Sequence, residues 1–152
     1  MAETERERLR AQDVNKLDVD SVADAKLIDS IYLSVFPNWH PWGSFNAINY
    51  RFRPNGDNPD EAIFEVMLFV PSPDGENRPP PAAVHWLGPD DDWTQAPELG
   101  MLAKIFNQDT FNLPKVQRGL KAQEQQEVVL SSYNESKLRH FHELLRKWLE
   151  LD

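Results

Sequence analysis

The chain has 152 residues, a length that suits one domain with a modest core. Its content of 40% apolar and 11% aromatic residues indicates a globular rather than a disordered protein. A formal net charge of -9 disfavours nucleic acid and anionic membrane surfaces as partners, and the absence of cysteine excludes disulfides and thiolate metal sites.

The first segment, residues 1–20, is a charged N-terminal tail with few large apolar side chains. It predicts a frayed helix or a segment that orders on contact, and nothing in it indicates chemistry. It lacks the apolar core of a signal peptide, and the chain has no apolar run of about 18 residues. We therefore expect a cytoplasmic protein whose folded portion is residues 21–152.

A short helix and a strand are predicted next. Ser21 and Asp24 have the spacing of a capping box for a helix that ends near Asp29. Residues 31–36 alternate as a strand does, and the Phe36-Pro37 step ends this predicted strand.

Two further strands are predicted over 45–53 and 62–70, with Ile48, Tyr50 and Phe52 on one face of the first. The turn-rich segment 54–59 lies between them, so we expect an antiparallel hairpin. Residues 71–92 are rich in proline and predict a surface loop, with a brief strand near 84–87.

The pattern becomes helical from about Ala96 to Gly119. Pro97 suits the first turn of this helix, Gly119 suits its end, and Pro114 is predicted to kink it. A short strand is predicted over 128–130.

The last predicted element is an amphipathic helix over 133–151. Ser132 and Glu135 predict its capping box, and Arg139 and Glu143 are spaced to pair on its outer side. Its core-facing residues are expected to be Leu138, Phe141, Leu145 and Trp148. Strands around the long helix indicate an α+β fold of the helix-grip type.

A single carboxylate, Asp109, interrupts the apolar side of the long helix. An acid there needs a hydrogen-bond donor, an ion-pair partner or a metal ion, because burying an unpaired carboxylate is costly. The residues leave two interpretations open: a helix cap or an acid paired with Arg118 or Lys115, and a metal ligand. The residues that share this face at helical spacing are Leu102, Phe106, Asp109, Leu113, Val116 and Leu120.

The histidines do not predict a metal site. His140 and His142 are two positions apart on a helix, which places their rings about 200° apart around its axis. They therefore cannot share one ion. His40 and His85 lie beside tryptophans and are expected to be loop residues hydrogen-bonded to backbone.

The region around Asp109 resembles the catalytic alpha subunits of Rieske-type aromatic ring-hydroxylating oxygenases. That family carries a QD-x-x-N-x-x-x-VQ-x-GL pattern, which here is Gln108-Asp109, Asn112, Val116-Gln117 and Gly119-Leu120. Three further stretches resemble the family in the same order: Phe36-Pro37-Asn38 with Pro41-Trp42, Tyr50-Arg51-Phe52-Arg53-Pro54, and Tyr133-Asn134-Glu135-Ser136 with Arg139-His140-Phe141-His142. The resemblance runs from about Leu27 to the C-terminus.

The resemblance implies a partial helix-grip (SRPBCC-like) fold, an antiparallel sheet packed on a long kinked helix plus a C-terminal helix. It implies hydroxylation of an aromatic substrate with O2 and electrons from a reductase or ferredoxin. Asp109 would be the carboxylate ligand of a mononuclear Fe(II), whose other ligands in the family are two histidines of an H-x-x-x-x-H segment. Homo-oligomers, trimers in the family, are also implied.

This sequence contains neither the H-x-x-x-x-H segment nor a cysteine for the Rieske [2Fe-2S] cluster. We therefore expect the C-terminal portion of a catalytic domain, inactive by itself, with the cluster in a missing N-terminal domain.

The resemblance also implies a substrate pocket and hydrogen bonds around the iron. Leu102, Ile105 and Phe106 would line the pocket from the helix, and Tyr32 and Trp42 from the strands. A role as simple core competes for each of these five residues. Asn112 and Gln117 would hold hydrogen bonds around the iron.

Three alternatives stay open. A non-catalytic helix-grip module would bind an apolar ligand without metal and would satisfy Asp109 with a protein donor. A structural or oligomerisation piece would assemble through exposed apolar surface. An enzyme split over two chains would need a partner that supplies the histidines.

Overall fold

The computed structural model describes residues 1–11, 18–43, 46–69, 80–125 and 127–151. The chain divides into two compact units, one of Met1–Pro79 with Ser131–Asp152 and the other of Pro80–Leu130. The first unit contains helices α1 (Ala2–Ala11), α2 (Asp24–Ile28) and α4 (Ser136–Trp148), and strands β1 (Trp39–Pro41), β2 (Ile48–Pro54) and β3 (Ala62–Leu68). The second contains helix α3 (Leu102–Ala122).

Within the charged N-terminal segment Ala2–Ala11 forms helix α1, which is anchored by one apolar side chain. Leu9, the single large apolar residue of α1, is buried against Val19 and Leu27. Arg6 donates hydrogen bonds to the Val22 carbonyl at 2.9 Å and to Asp24 Oδ1 at 2.6 Å. The predicted helix before Asp29 is present, but the predicted cap is wrong, because Ala23 precedes α2 and no side chain caps it.

The three strands form an antiparallel sheet in the order β1-β2-β3. The predicted hairpin is confirmed, with Phe52 opposite Phe64 and Arg51 opposite Glu65. The predicted strand over 31–36 is reduced to two isolated bridges, Tyr32 to Trp42 and Val35 to Trp39. The two segments do stay aligned, since the Leu33 N–H donates to the Pro41 carbonyl at 3.0 Å and the Gly43 N–H to the Ile31 carbonyl at 2.6 Å. Pro41 has no N–H to return a hydrogen bond to Leu33, so the ladder between the two bridges is interrupted.

The two faces of the sheet differ in chemistry. His40 and Tyr50 are directly opposite, so their face continues to Phe52 and Phe64, whose rings stack with centroids 4.7 Å apart. On the other face Glu65 accepts hydrogen bonds from Arg51 and Arg53. The predicted alignment of Ile48, Tyr50 and Phe52 on one face agrees with this register.

Helix α4 begins three residues later than predicted, and its N-cap is Glu135 with no side-chain cap hydrogen bond, so the predicted capping box of Ser132 and Glu135 is wrong. Glu135 pairs with Ser131 instead of Ser132: the Ser131 hydroxyl accepts from the Glu135 N–H at 3.2 Å, and the Glu135 carboxylate accepts from the Ser131 N–H. Arg139 donates to the carbonyls of Ser131 and Ser132. The predicted Arg139–Glu143 pair is therefore wrong, because the guanidinium turns back to the loop that precedes the helix.

The apolar side of α4 packs against the loop before β1. The ring centroids of Phe141 and Trp148 lie 5.9 Å and 5.8 Å from that of Phe36. Phe141 and Leu145 are half-buried, whereas Leu138 and Trp148 are 48% and 66% exposed, so the predicted core face of the helix is correct only in part.

Helix α3 follows two short 3-10 helices, Trp93–Gln95 and Pro97–Leu99. Gly100 lies between these 3-10 helices and α3 and has a positive φ of 54°. Glycine suits this position, because residues with an L side chain rarely adopt that backbone conformation. The helix includes Pro114 and runs past Gly119 to Ala122, so its predicted end was too early. The kink at Pro114 stays a prediction.

No strand forms within the described residues 84–87 or 128–130, although both were predicted to be strands. A strand needs a neighbour to accept its ladder of hydrogen bonds, and apolar alternation does not guarantee one.

Four helices and an antiparallel sheet among the described residues confirm the α+β class and agree with part of a helix-grip fold. The packing of the sheet on the long helix stays a prediction. Within the described ranges no helix is both long enough and apolar enough to cross a membrane.

Candidate functional site

Asp109 lies near the middle of α3, so it is not a helix cap. Its side chain is exposed and makes no hydrogen bond or ion pair with any described residue. Lys115, one of its predicted partners, instead places its ammonium 2.8 Å from the centroid of the Phe111 ring. The carboxylate is therefore available to a ligand that these residues do not supply.

The side of α3 around Asp109 is apolar but mostly uncovered. Leu102 and Leu120 are half-buried, whereas Leu113 and Val116 are 53% and 57% exposed. The expectation that Asp109 lies on a buried face is therefore wrong for the part of the chain that is described. An exposed carboxylate does not incur the cost of burial on which that expectation relied.

The three predicted pocket residues of α3 differ in exposure. Phe106 is only 3% exposed and packs against Trp93, with ring centroids 5.1 Å apart. Ile105 is 52% exposed and Leu102 is half-buried. Phe106 thus has a packing role within its own unit, whereas Ile105 presents an apolar surface.

A hydrogen-bond network joins α3 to the 3-10 helix that precedes it. Asp92 Oδ1 accepts from Thr94 N–H at 2.7 Å, from the Thr94 hydroxyl at 2.6 Å and from Asn107 Nδ2 at 2.7 Å. Asn107 Oδ1 in turn accepts from Trp93 N–H at 2.9 Å, and Trp93 Nε1 donates to the Thr110 hydroxyl at 3.2 Å. The turn therefore holds the first half of α3 by several side chains.

Sequence reasoning missed this network. Asp92 two residues before Thr94 is a pattern for a local turn, but Asn107 is 15 residues away in the chain. The hydrogen bonds from Thr94 and Asn107 lower the pKa of Asp92 from its ordinary 3.8 to about 2.

The other two predicted pocket residues, Tyr32 and Trp42, lie together in the first unit, with ring centroids 5.4 Å apart. His40 stacks on Tyr32 at 5.7 Å, and the Lys137 ammonium lies 4.0 Å from the centroid of the Tyr32 ring. Burial raises the pKa of Tyr32, and burial together with Lys137 lowers the pKa of His40. Trp42 Nε1 is buried and has no hydrogen-bond acceptor within the described ranges.

Lys137 was not predicted from the sequence. Its ammonium donates to the Tyr32 carbonyl at 2.6 Å, so it ties the start of α4 to the segment before the sheet. Only the fold brings these residues together, since they are 105 positions apart.

Asn112 and Gln117 are exposed on α3. Their predicted hydrogen bonds around an iron stay predictions.

The described histidines, cysteines and acids do not gather in any group of three that suits a metal ion. His40 lies on β1 with Nδ1 3.3 Å from the Ser34 hydroxyl, and His85 Nδ1 lies 3.2 Å from Glu98. Both contact side chains rather than the backbone groups that were predicted. His140 faces Glu143 at 3.8 Å. The described histidines therefore do not complete a site of two histidines and one carboxylate, because no pair of them gathers with Asp109.

The comparison with protein families adds a match to nearly the whole chain. The family described as "Ring hydroxylating alpha subunit (catalytic domain)" matches residues 2–151, a range that includes the charged N-terminal segment. No curated protein and no solved structure matches the chain. The family match agrees with the resemblance carried by the motif around Asp109. The chain therefore belongs to the family of catalytic domains of ring-hydroxylating alpha subunits.

Proposed function

We propose that this chain is the carboxylate-bearing portion of an oxygenase catalytic domain that hydroxylates an aromatic substrate with O2. The observation that carries the proposal is the family match over residues 2–151. Electrons would come from a ferredoxin or reductase, through a [2Fe-2S] cluster that this cysteine-free chain does not hold.

Within this proposal Asp109 supplies the carboxylate ligand of a mononuclear Fe(II). Its lack of a described protein partner supports the role, because a carboxylate committed to a salt bridge would have to give up that partner to bind a metal. Its exposure does not support the role by itself, since the expected site is a cavity, so the proposal needs a second polypeptide to cover this side of α3. A hard anionic oxygen is also the kind of ligand that Fe(II) takes beside imidazole in such sites.

The two histidine ligands would come from residues outside this sequence. The chain has four histidines, none with the H-x-x-x-x-H spacing, and the described ones do not approach Asp109 as a metal-binding group. We infer that the chain does not catalyse hydroxylation alone and needs a polypeptide that supplies the imidazoles.

Each unit offers its own candidate contacts to an aromatic ring. In the second unit these are Leu102 and Ile105 on α3, whereas Phe106 is buried against Trp93 and would support this side from inside the unit. In the first unit they are Tyr32 and Trp42. Apolar and aromatic side chains suit a planar apolar ligand. Asn112 and Gln117 are proposed to hold hydrogen bonds around the metal. A homo-oligomer and a cytoplasmic location also belong to the proposal.

The test is iron content after anaerobic Fe(II) loading, for the chain alone and for the chain co-expressed with a histidine-bearing polypeptide. We expect no stoichiometric iron in the chain alone and stoichiometric iron in the complex. The substitution Asp109→Ala should abolish iron uptake by the complex, whereas the control Asp90→Ala, a change at an exposed acid of the same unit, should not.

Iron retained by the complex that carries Asp109→Ala would contradict the assignment of Asp109. Failure of the two polypeptides to associate, together with binding of apolar aromatic compounds by the chain alone, would favour the non-catalytic binding module instead.

A further inference from the structure

We propose that Asp92 is a positioning residue that holds the turn of α3 carrying Asp109. The inference rests on the proposed function, because it gives Asp92 a role only if the Asp109 carboxylate has one. It concerns residues of a single unit, Pro80–Leu130.

One oxygen of Asp92 makes the connection. Oδ1 accepts all three hydrogen bonds, two from Thr94 and one from the side-chain amide of Asn107. The two bonds from Thr94 are what a local turn requires, and they cap the 3-10 helix Trp93–Gln95. The bond from Asn107 reaches beyond the turn to α3 and is not needed for that cap.

The same turn holds α3 at two more positions. The Trp93 ring packs on Phe106, and its Nε1 donates to the Thr110 hydroxyl at 3.2 Å. That hydroxyl also donates to the Phe106 carbonyl at 2.7 Å. Asp92 holds Asn107, which in turn holds the backbone of Trp93. We call Asp92 and Trp93 the clamp, because together they contact residues 106, 107 and 110 of α3.

Helix geometry places Asp109 beside this clamp and not under it. At about 100° per residue, positions 106, 107 and 110 fall within one sector of about 100° around the helix axis. Asp109 lies about 60° outside that sector, on the side of Phe106. The clamp thus holds residues that come before and after Asp109 in the sequence, while it leaves the Asp109 carboxylate exposed.

The first experiment measures amide hydrogen exchange at residues 106–110 in the full chain. We expect Asp92→Ala to accelerate exchange there by about tenfold, because a charge-assisted link to the helix is lost. Asp92→Asn should restore most of the protection, since its amide oxygen can accept the same three hydrogen bonds. Asn107→Ala removes the same link from the helix side and should match Asp92→Ala, which guards against a folding defect in one variant.

Asp18 provides the matched control. Its side chain accepts from the Asp20 N–H at 3.2 Å and caps the 3-10 helix Val19–Ser21 in the other unit. Asp18→Ala therefore removes a similar cap without touching α3, and exchange at 106–110 should stay as in the unsubstituted chain.

The second experiment separates positioning from simple stabilisation. In the complex with the histidine-bearing polypeptide, Asp92→Ala should lower kcat for aromatic hydroxylation by about tenfold and leave KM within about twofold. Asp92→Asn should recover most of the lost kcat, and Asp18→Ala should change neither constant.

Unchanged exchange at 106–110 in Asp92→Ala would overturn the proposal, as would faster exchange with an unchanged kcat. Full turnover by Asp109→Ala would overturn the proposed function and this inference with it. That variant tells the two failures apart, because the exchange result does not depend on whether Asp109 acts in the reaction.

Discussion

Asp92 and Asp109 are the same residue type in different surroundings, and the surroundings determine what each can do. The Asp92 oxygen accepts three hydrogen bonds, whereas the Asp109 carboxylate has no described protein partner. A hydrogen-bonded acid stabilises its own surroundings, and an unpaired exposed acid contributes little to folding. This contrast makes Asp109 the better candidate for a ligand and Asp92 the better candidate for a support.

Asp109→Ala should therefore change the free energy of unfolding by less than about 0.5 kcal/mol, the range for exposed residues without partners. Phe106→Ala, three positions earlier and 3% exposed, should lower it by about 3 to 5 kcal/mol because it leaves a cavity. Urea denaturation of both variants measures the difference. A large loss in Asp109→Ala would instead point to a structural role for this acid.

Protonation of Asp92 should loosen the clamp in acid. Its pKa in the folded chain is lowered to about 2 from 3.8, so the contribution of its charge to stability is present above pH 3.8 and is lost as the pH falls towards about 2. The neutral carboxyl oxygen can still accept hydrogen bonds, as the amide oxygen of Asp92→Asn does. The difference in exchange protection at 106–110 between the unsubstituted chain and Asp92→Ala should narrow over that interval. A difference that is constant with pH would show that the charge of Asp92 does not contribute.

At the scale of elements, the loop that leads into α4 contains a reciprocal pair one residue away from the predicted capping box. Ser131 and Glu135 bond each other's backbone N–H groups, and Arg139 satisfies two carbonyls of the same loop. Sequence spacing identified Glu135 correctly, but two adjacent serines satisfy the pattern almost equally well. The backbone path of the loop selects between them.

Ser131→Ala should lower the free energy of unfolding by about 1 kcal/mol, the usual net contribution of one intramolecular hydrogen bond, because the Glu135 N–H loses its acceptor. Ser132→Ala is the matched control, and its effect should stay within about 0.5 kcal/mol. Chemical denaturation followed by circular dichroism measures both. An equal decrease in the free energy of unfolding of the two variants would contradict this assignment, because it would show that Ser132 also contributes.

At the scale of the whole molecule, many large apolar side chains are exposed in the described residues, including Val129 at 95% and Met101 at 86%. Apolar surface of this extent is usual where a protein meets a partner. The net charge of -9 opposes assembly of identical chains, and salt screens that repulsion.

We therefore predict that the chain self-associates, and that its mass in solution rises with protein concentration and with salt. Light scattering coupled to size-exclusion chromatography measures that mass. The histidine-bearing polypeptide, if it covers the same apolar surface, should suppress the rise in mass. A monomer at every concentration and salt level would contradict the expected homo-oligomer.

Patterns along the chain were sufficient for the family, the hairpin and both main helices. These features depend on neighbouring residues and on a motif of fixed spacing. The same patterns predicted strands at 84–87 and 128–130, where no described neighbour completes a ladder.

Contacts between distant residues could be found only in three dimensions. They include the contacts of Asp92 with Asn107 and of Lys137 with Tyr32. The exposure of the side of α3 around Asp109 could likewise be found only in the folded structure. Local periodicity says which residues share a face, but it does not say what packs against that face. Whether a face is covered depends on chain segments far away in sequence, and local periodicity carries no information about them.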